Sequence, residues 1–307
     1  MPSIQVHRSR PPGAAGSASA RHNDEVRGAL AHPSGQGMRR DPAKSLLALP
    51  HVLLIAFVLW AGSVAGRPAT FVVHTEAMDL DGFTTTVDVY QPSLGPSGGL
   101  AIIAHGFTRS RERHRDLGRA LAEAGIAAVV PDLPYTVDHW ANGDALVELA
   151  GKLEAGALGL APVERSRLVL IGTSAGGLAT LLAAAKLPGL AGWIGLDPVD
   201  RTGSGVRAAA RLTAPAVVLL ADRSSCNLYG SGRAIGRAIP RLLRSTVLEG
   251  ASHCDFEALT NNFCRFVCGK SPPGMPEVTR AETVGADLQM LDPARVPRTG
   301  DWIDHAN

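Results

Sequence analysis

The stretch LVLIGTSAGGLATLLAAAKL, residues 168–187, runs from an aliphatic strand-like segment through a glycine-flanked serine straight into a helical one. Gly172-Thr173-Ser174-Ala175-Gly176 fits the pattern G-x-S-x-G, which is weak by itself in a chain with 34 glycines. The setting decides. A nucleophile elbow needs a strand, a sharp turn holding the serine in a strained conformation, and then a helix, with small neighbours throughout. Gly95-Pro96-Ser97-Gly98-Gly99 fits the same pattern, but it lies in a Pro/Gly loop ahead of a strand and opens no helix. Only Ser174 has the required setting, and the helix start behind it favours a developing negative charge. The competing readings are a plain glycine-rich turn and a phosphate-binding helix start.

On both sides of this stretch strand-like and helix-like segments alternate. TFVVHTE and FTTTVDVYQP read as an opening antiparallel pair. LAIIAHG, IAAVVPDLP, RLVLIG, GWIGLDPVD, APAVVLLAD and STVLEGASH read as further strands. Helical segments are expected at about 112–124, in NGDALVELAGKLEAGAL, after Ser174, and in DFEALTNNFCRFVCG. This order predicts an α/β domain with a mostly parallel central sheet and helices on both faces. Its ligand crevice should lie beyond the carboxyl ends of the strands. A loop around 134–144, with Tyr135 and Trp140, is a candidate lid.

The domain is expected to span residues 66–270. Residues 1–37 lack apolar periodicity and read as disordered or upstream of the true start at Met38. Residues 38–65, with Arg39, Arg40 and Lys44, an apolar run at 46–60 and a Ser63-x-Ala65 site, read as a secretory signal peptide. The rival is a membrane anchor, in which uncleaved residues 46–65 would hold the protein to a membrane. Residues 271–307 read as an irregular tail. Removing residues 1–65 takes away seven basic and three acidic residues and changes the formal charge from +2 to −2. Nothing in the remainder suggests a nucleic-acid partner.

All four cysteines, Cys226, Cys254, Cys264 and Cys268, fall in the C-terminal part of the domain. An even count in an exported protein reads as two disulfides. The i,i+4 spacing suggests Cys264 with Cys268, leaving Cys226 with Cys254. No paired C-x-x-C spacing supports a zinc site with His253.

A serine hydroxyl needs a base and an orienting acid, which in this type of fold follow in the order Ser, Asp or Glu, His. His253, in EGASHCDFE, lies just after the last strand. Two carboxylates compete as the acid. Asp197 ends GWIGLDPVD, where Pro198 terminates the strand; Asp222 ends the next strand, but Arg223 beside it would pair with a nearby carboxylate. Asp197 is preferred, with Asp200 a distant third. The backbone N–H groups of Ala175 and Phe107 are the candidate oxyanion donors, and His105 is expected to brace the Phe107 loop.

AHGFTRS, GTSAGG, GLDPVD and GASHCDFE resemble the α/β-hydrolase superfamily, in particular its chlorophyllase-like and cutinase-like polyester-hydrolase branches. The resemblance covers roughly residues 70–270. It implies an α/β-hydrolase fold, a serine esterase triad of Ser174, Asp197 and His253, and an oxyanion hole from Phe107 and Ala175. Thr173 and Ala175 depart from the side chains usual in either branch, so the resemblance implies the reaction and leaves the ester unspecified. A monomer acting on a small or lipophilic ester, with no metal and no organic cofactor, is expected. Two other classes compete: a non-catalytic binding module on the same fold, and a dinucleotide-dependent oxidoreductase built on the glycines of 230–236. The latter run does not directly follow a strand and misses the usual spacing.

Overall fold

In the computed structural model the described residues are 71–93, 98–257 and 262–292. The expected leader at 1–37 and 38–65, the rival serine Ser97 and the chain beyond residue 292 lie outside them. Among the described residues no helix is long and apolar enough to cross a membrane.

The strands are β1 (Phe71–Leu80), β2 (Phe83–Pro92), β3 (Leu100–Ala104), β4 (Ala127–Pro131), β5 (Leu168–Thr173), β6 (Gly192–Leu196), β7 (Ala216–Leu220) and β8 (Leu242–Val247). They form one eight-stranded sheet in the order β1-β2-β4-β3-β5-β6-β7-β8. β1 and β2 pair antiparallel through a two-residue Asp81-Gly82 turn, in which both residues take positive φ, 51° and 77°. That conformation matches the strand twist of a tight hairpin. β2 lies antiparallel to β4, and from β4 to β8 the sheet is parallel.

The parallel strands are near-continuous aliphatic runs because both faces are covered. Alternate side chains feed two cores. Ile102, Leu170 and Val218 face α2 (His139–Glu154), α3 (Ala175–Ala184), α4 (Ser204–Ala209) and α5 (Gly232–Ala238). Ile103, Ile171 and Leu219 face α1 (Arg115–Glu123) and α7 (Met275–Leu291). A short helix, α6 (Asn262–Cys268), follows, and none of its described side chains belongs to either core.

Two expectations are corrected here. The region after residue 270 is not simply an irregular tail: α7 covers the sheet, with Ala286 and Met290 in the core. Its buried stripe also holds Thr279, Thr283 and Asp287. The threonine hydroxyls bond back to carbonyls, Thr283 Oγ1 to Thr279 at 2.7 Å and Thr279 Oγ1 to Pro276 at 2.9 Å, so the stripe is buried without reading as apolar. The disulfides are Cys226–Cys268 and Cys254–Cys264, not Cys264–Cys268 with Cys226–Cys254. Side chains at i,i+4 of a helix keep their Cβ atoms about 5–6 Å apart, whereas a disulfide needs roughly 3.5–4.5 Å. Each α6 cysteine therefore reaches a different loop.

The segment considered as a lid is partly helix. From His139 onward it belongs to α2, capped by the Asp138 carboxylate, which accepts from the Trp140 and Ala141 N–H groups at 3.0 Å. Tyr135 packs edge-on against Phe83 and donates to Asp81 at 2.7 Å.

Candidate active site

Ser174 joins β5 to α3 with φ 56° and ψ −119°, a conformation that L residues rarely adopt and that functional turns retain. The local sequence permits it because the residues two places before and after it, Gly172 and Gly176, have no side chains. A Cβ on Gly172 would overlap the Gly176 backbone, and a Cβ on Gly176 would overlap the carbonyls of Ala104 and His105. The start of α3 is thereby pressed against the end of β3. The Ser174 N–H donates to the Leu196 carbonyl at 3.0 Å, and the Ser174 carbonyl accepts from Val199 at 3.1 Å. The turn is thus pinned to the carboxyl end of β6.

That strand end carries Asp197, which is fully buried and has a φ of 43°. Its Oδ2 accepts from His253 Nδ1 at 2.7 Å and from Asn227 Nδ2 at 3.0 Å, while Oδ1 accepts from the Ala221 N–H at 3.2 Å. A carboxylate on Nδ1 makes that nitrogen the donor and leaves Nε2 as an acceptor. His253 begins a single 3-10 turn, His253–Phe256, after β8. The turn is held by buried Asp255, whose carboxylate accepts from the Ser252 N–H at 2.7 Å and the Ser271 hydroxyl at 2.8 Å.

Of the three candidate acids, the structure brings only Asp197 to His253. Asp222, the alternative, is exposed and turned away, accepting from the Gly250 N–H at 3.0 Å. Asp200 accepts from the Thr202 and Val206 N–H groups at the start of α4.

Opposite lies the loop after β3. His105 Nε2 accepts from the Leu133 N–H at 3.0 Å, so its Nδ1 donates to the Gly106 carbonyl at 2.9 Å. Burial lowers its pKa and keeps it neutral, against the pull of the Gly106 bond. His105 therefore braces this loop. The loop runs beside the serine: a Cβ on Gly106 would lie 3.3 Å from Ser174 Cβ. The N–H groups of Phe107 and Ala175 have no hydrogen-bond acceptor among the described residues. The Phe107 side chain is half exposed.

Two participants escaped the sequence reading. Asn227 is fully buried in the loop after β7 and uses its whole amide. Its Oδ1 accepts from Ser224 and Gly230, each at 3.0 Å, and its Nδ2 donates to Asp197 and to the Asp222 carbonyl. The following Leu228, Tyr229 and Gly230 all have positive φ, which is the local signal of a built turn. Glu257 is the second. It accepts from the Gly106 N–H at 3.3 Å and pairs with Arg109 at 3.2 Å, joining the Phe107 loop to the histidine turn.

No protein-family model and no curated protein matches the chain. Among solved structures, a dienelactone hydrolase from Anabaena variabilis is similar in fold, with a TM-score of 0.58 at 17% identity, covering 71% of this chain and 98% of that chain. The architecture is the α/β-hydrolase fold.

Proposed function

We propose that the chain is a serine carboxylic-ester hydrolase, with Ser174 as nucleophile, His253 as base and Asp197 as the orienting acid. The observation that carries this reading is the 2.7 Å hydrogen bond from His253 Nδ1 to a fully buried Asp197, at the strand end to which the strained Ser174 is pinned. His253 Nε2 takes the Ser174 proton as Oγ attacks the ester carbonyl. The Phe107 and Ala175 N–H groups receive the oxyanion, and His253 then protonates the leaving alcohol. Water attacks the acyl-enzyme by the reverse proton path, returning the proton to Ser174. Asp197 holds the imidazole tautomer and stabilises its charged form; no group outside the chain is required. The substrate is a small or lipophilic ester, and the protein acts as a monomer after export.

The test is hydrolysis of short and long p-nitrophenyl esters and a simple lactone, beside Ser174→Ala. Activity on any of these that falls to background in the variant supports the reading. An active Ser174→Ala variant overturns it.

A further inference from the structure

We propose that α6 is a thiol-releasable clamp on the catalytic loops, and that opening Cys226–Cys268 switches hydrolysis off while the domain stays folded. This rests on the assignment of Asp197 and His253 above.

The clamp is visible in the connectivity. Cys226 immediately precedes Asn227, whose Nδ2 holds Asp197, and is bonded to Cys268 at the end of α6. Cys254 immediately follows His253 and is bonded to Cys264 of the same helix. Arg109, from the loop bearing Phe107, donates to Cys264 Sγ at 3.5 Å. One seven-residue helix thus meets the acid, base and oxyanion loops.

Among the described side chains, little else attaches this helix. Arg265, Phe266 and Val267 are exposed, Phe266 to 86%, and no described α6 side chain belongs to either core. A helix of this length is marginal in water without packing. Among its described side chains the sulfurs are therefore the principal anchors, and releasing them leaves both cores intact, as a local opening. The released loop also has a reason to move: Leu228, Tyr229 and Gly230 are held consecutively at φ of 50°, 54° and 87°. Relaxation there displaces Asn227 and loosens Asp197 beneath His253.

The two bridges differ in access. Cys254 and Cys264 are buried, whereas Cys226 and Cys268 are only half buried. A dithiol reductant therefore opens Cys226–Cys268 first. Its thiolate attacks one sulfur, forming a mixed disulfide and releasing the other as thiolate. Its second thiol then displaces the remaining cysteine. The protein gains two electrons and two protons, and the reductant becomes a disulfide.

The experiment uses the oxidised full chain titrated with dithiothreitol, with alkylation mapping to identify the opened cysteines. Ester kinetics, far-ultraviolet circular dichroism and the low-field N–H proton resonance of His253 are followed together. The expected result is alkylation first at Cys226 and Cys268, with kcat falling about a hundredfold, as for a misplacement of about 1 Å. KM and the dichroism change little, the His253 resonance is lost, and reoxidation restores both. Cys226→Ser/Cys268→Ser should reproduce this without reductant. Unchanged kcat and resonance with the bridge open would overturn the clamp, as would loss of the dichroism on opening. If the oxidised protein hydrolyses no ester, the functional reading fails by itself; the His253 resonance still decides whether opening the bridge frees the imidazole.

Discussion

Asn227 Nδ2 lies 3.0 Å from Oδ2 of Asp197, the same oxygen that receives His253 Nδ1. The candidate acid is thus shared between the base and a loop amide from the neighbouring strand end. An amide is required because it must also accept two N–H groups through Oδ1.

Asn227→Ala leaves those two donors and one Asp197 lone pair unsatisfied, a loss of about 1–3 kcal/mol in stability. Asn227→Asp keeps the acceptors but sets a second carboxylate against Asp197, and should be the worse variant in kcat. Urea unfolding and steady-state kinetics on both check this. Equal kcat in Asn227→Asp and the parent would contradict the role given to the amide.

Asp197→Asn should lower kcat by about 10⁴-fold, the loss found when a triad imidazole is given the wrong partner. Asp222→Asn, whose carboxylate among the described residues serves the Gly250 turn, should stay within a few-fold of the parent. Parallel kinetics decide between the two acids, and the reverse pattern would reassign the triad.

Much of this site can be read from the chain, and what cannot has identifiable causes. β3, β5 and β7 are legible because strands buried on both faces are near-continuous aliphatic runs. The candidates Ser174 and Asp197 are legible because each directly follows a strand, and His253 because it opens the 3-10 turn after the last one. Asn227 and Glu257 are not, since their roles depend on contacts with Asp197 and Gly106, 30 and 151 residues away. α7 is hidden because Thr279, Thr283 and Asp287 occupy its buried face. The cysteine pairing is misread from spacing because side chains one helical turn apart share a face but stand too far apart to bond, so each pairs outside the helix.

Glu257 bridges the Gly106 loop and the histidine turn. Glu257→Ala should reduce kcat about tenfold, below the 10²- to 10³-fold that follows loss of an oxyanion donor itself. Glu257→Gln keeps an acceptor for Gly106 and should recover most of that loss. If the glutamine variant is as slow as the alanine variant, the Arg109 ion pair is the operative contact instead.

Burial raises the carboxyl of Asp287 to about 8, and neither of its oxygens has a partner among the described residues. The unfolded chain releases this proton near about pH 4. Between those values the folded state holds a proton that the unfolded state has lost, so stability falls as pH rises, by at most about 1.4 kcal/mol per pH unit, and levels off above the folded value. Asp287→Asn should flatten this slope in urea unfolding followed from about pH 5 to about pH 8. The same slope in variant and parent would show that Asp287 does not titrate with folding.

The most direct test of the central claim is peptide mapping after treatment with a fluorophosphonate. The adduct should form on Ser174 in the parent and fail to form in His253→Ala, because the serine attacks phosphorus only with its proton accepted. An adduct at another residue, or undiminished labelling of Ser174 without His253, would contradict the assignment of nucleophile and base.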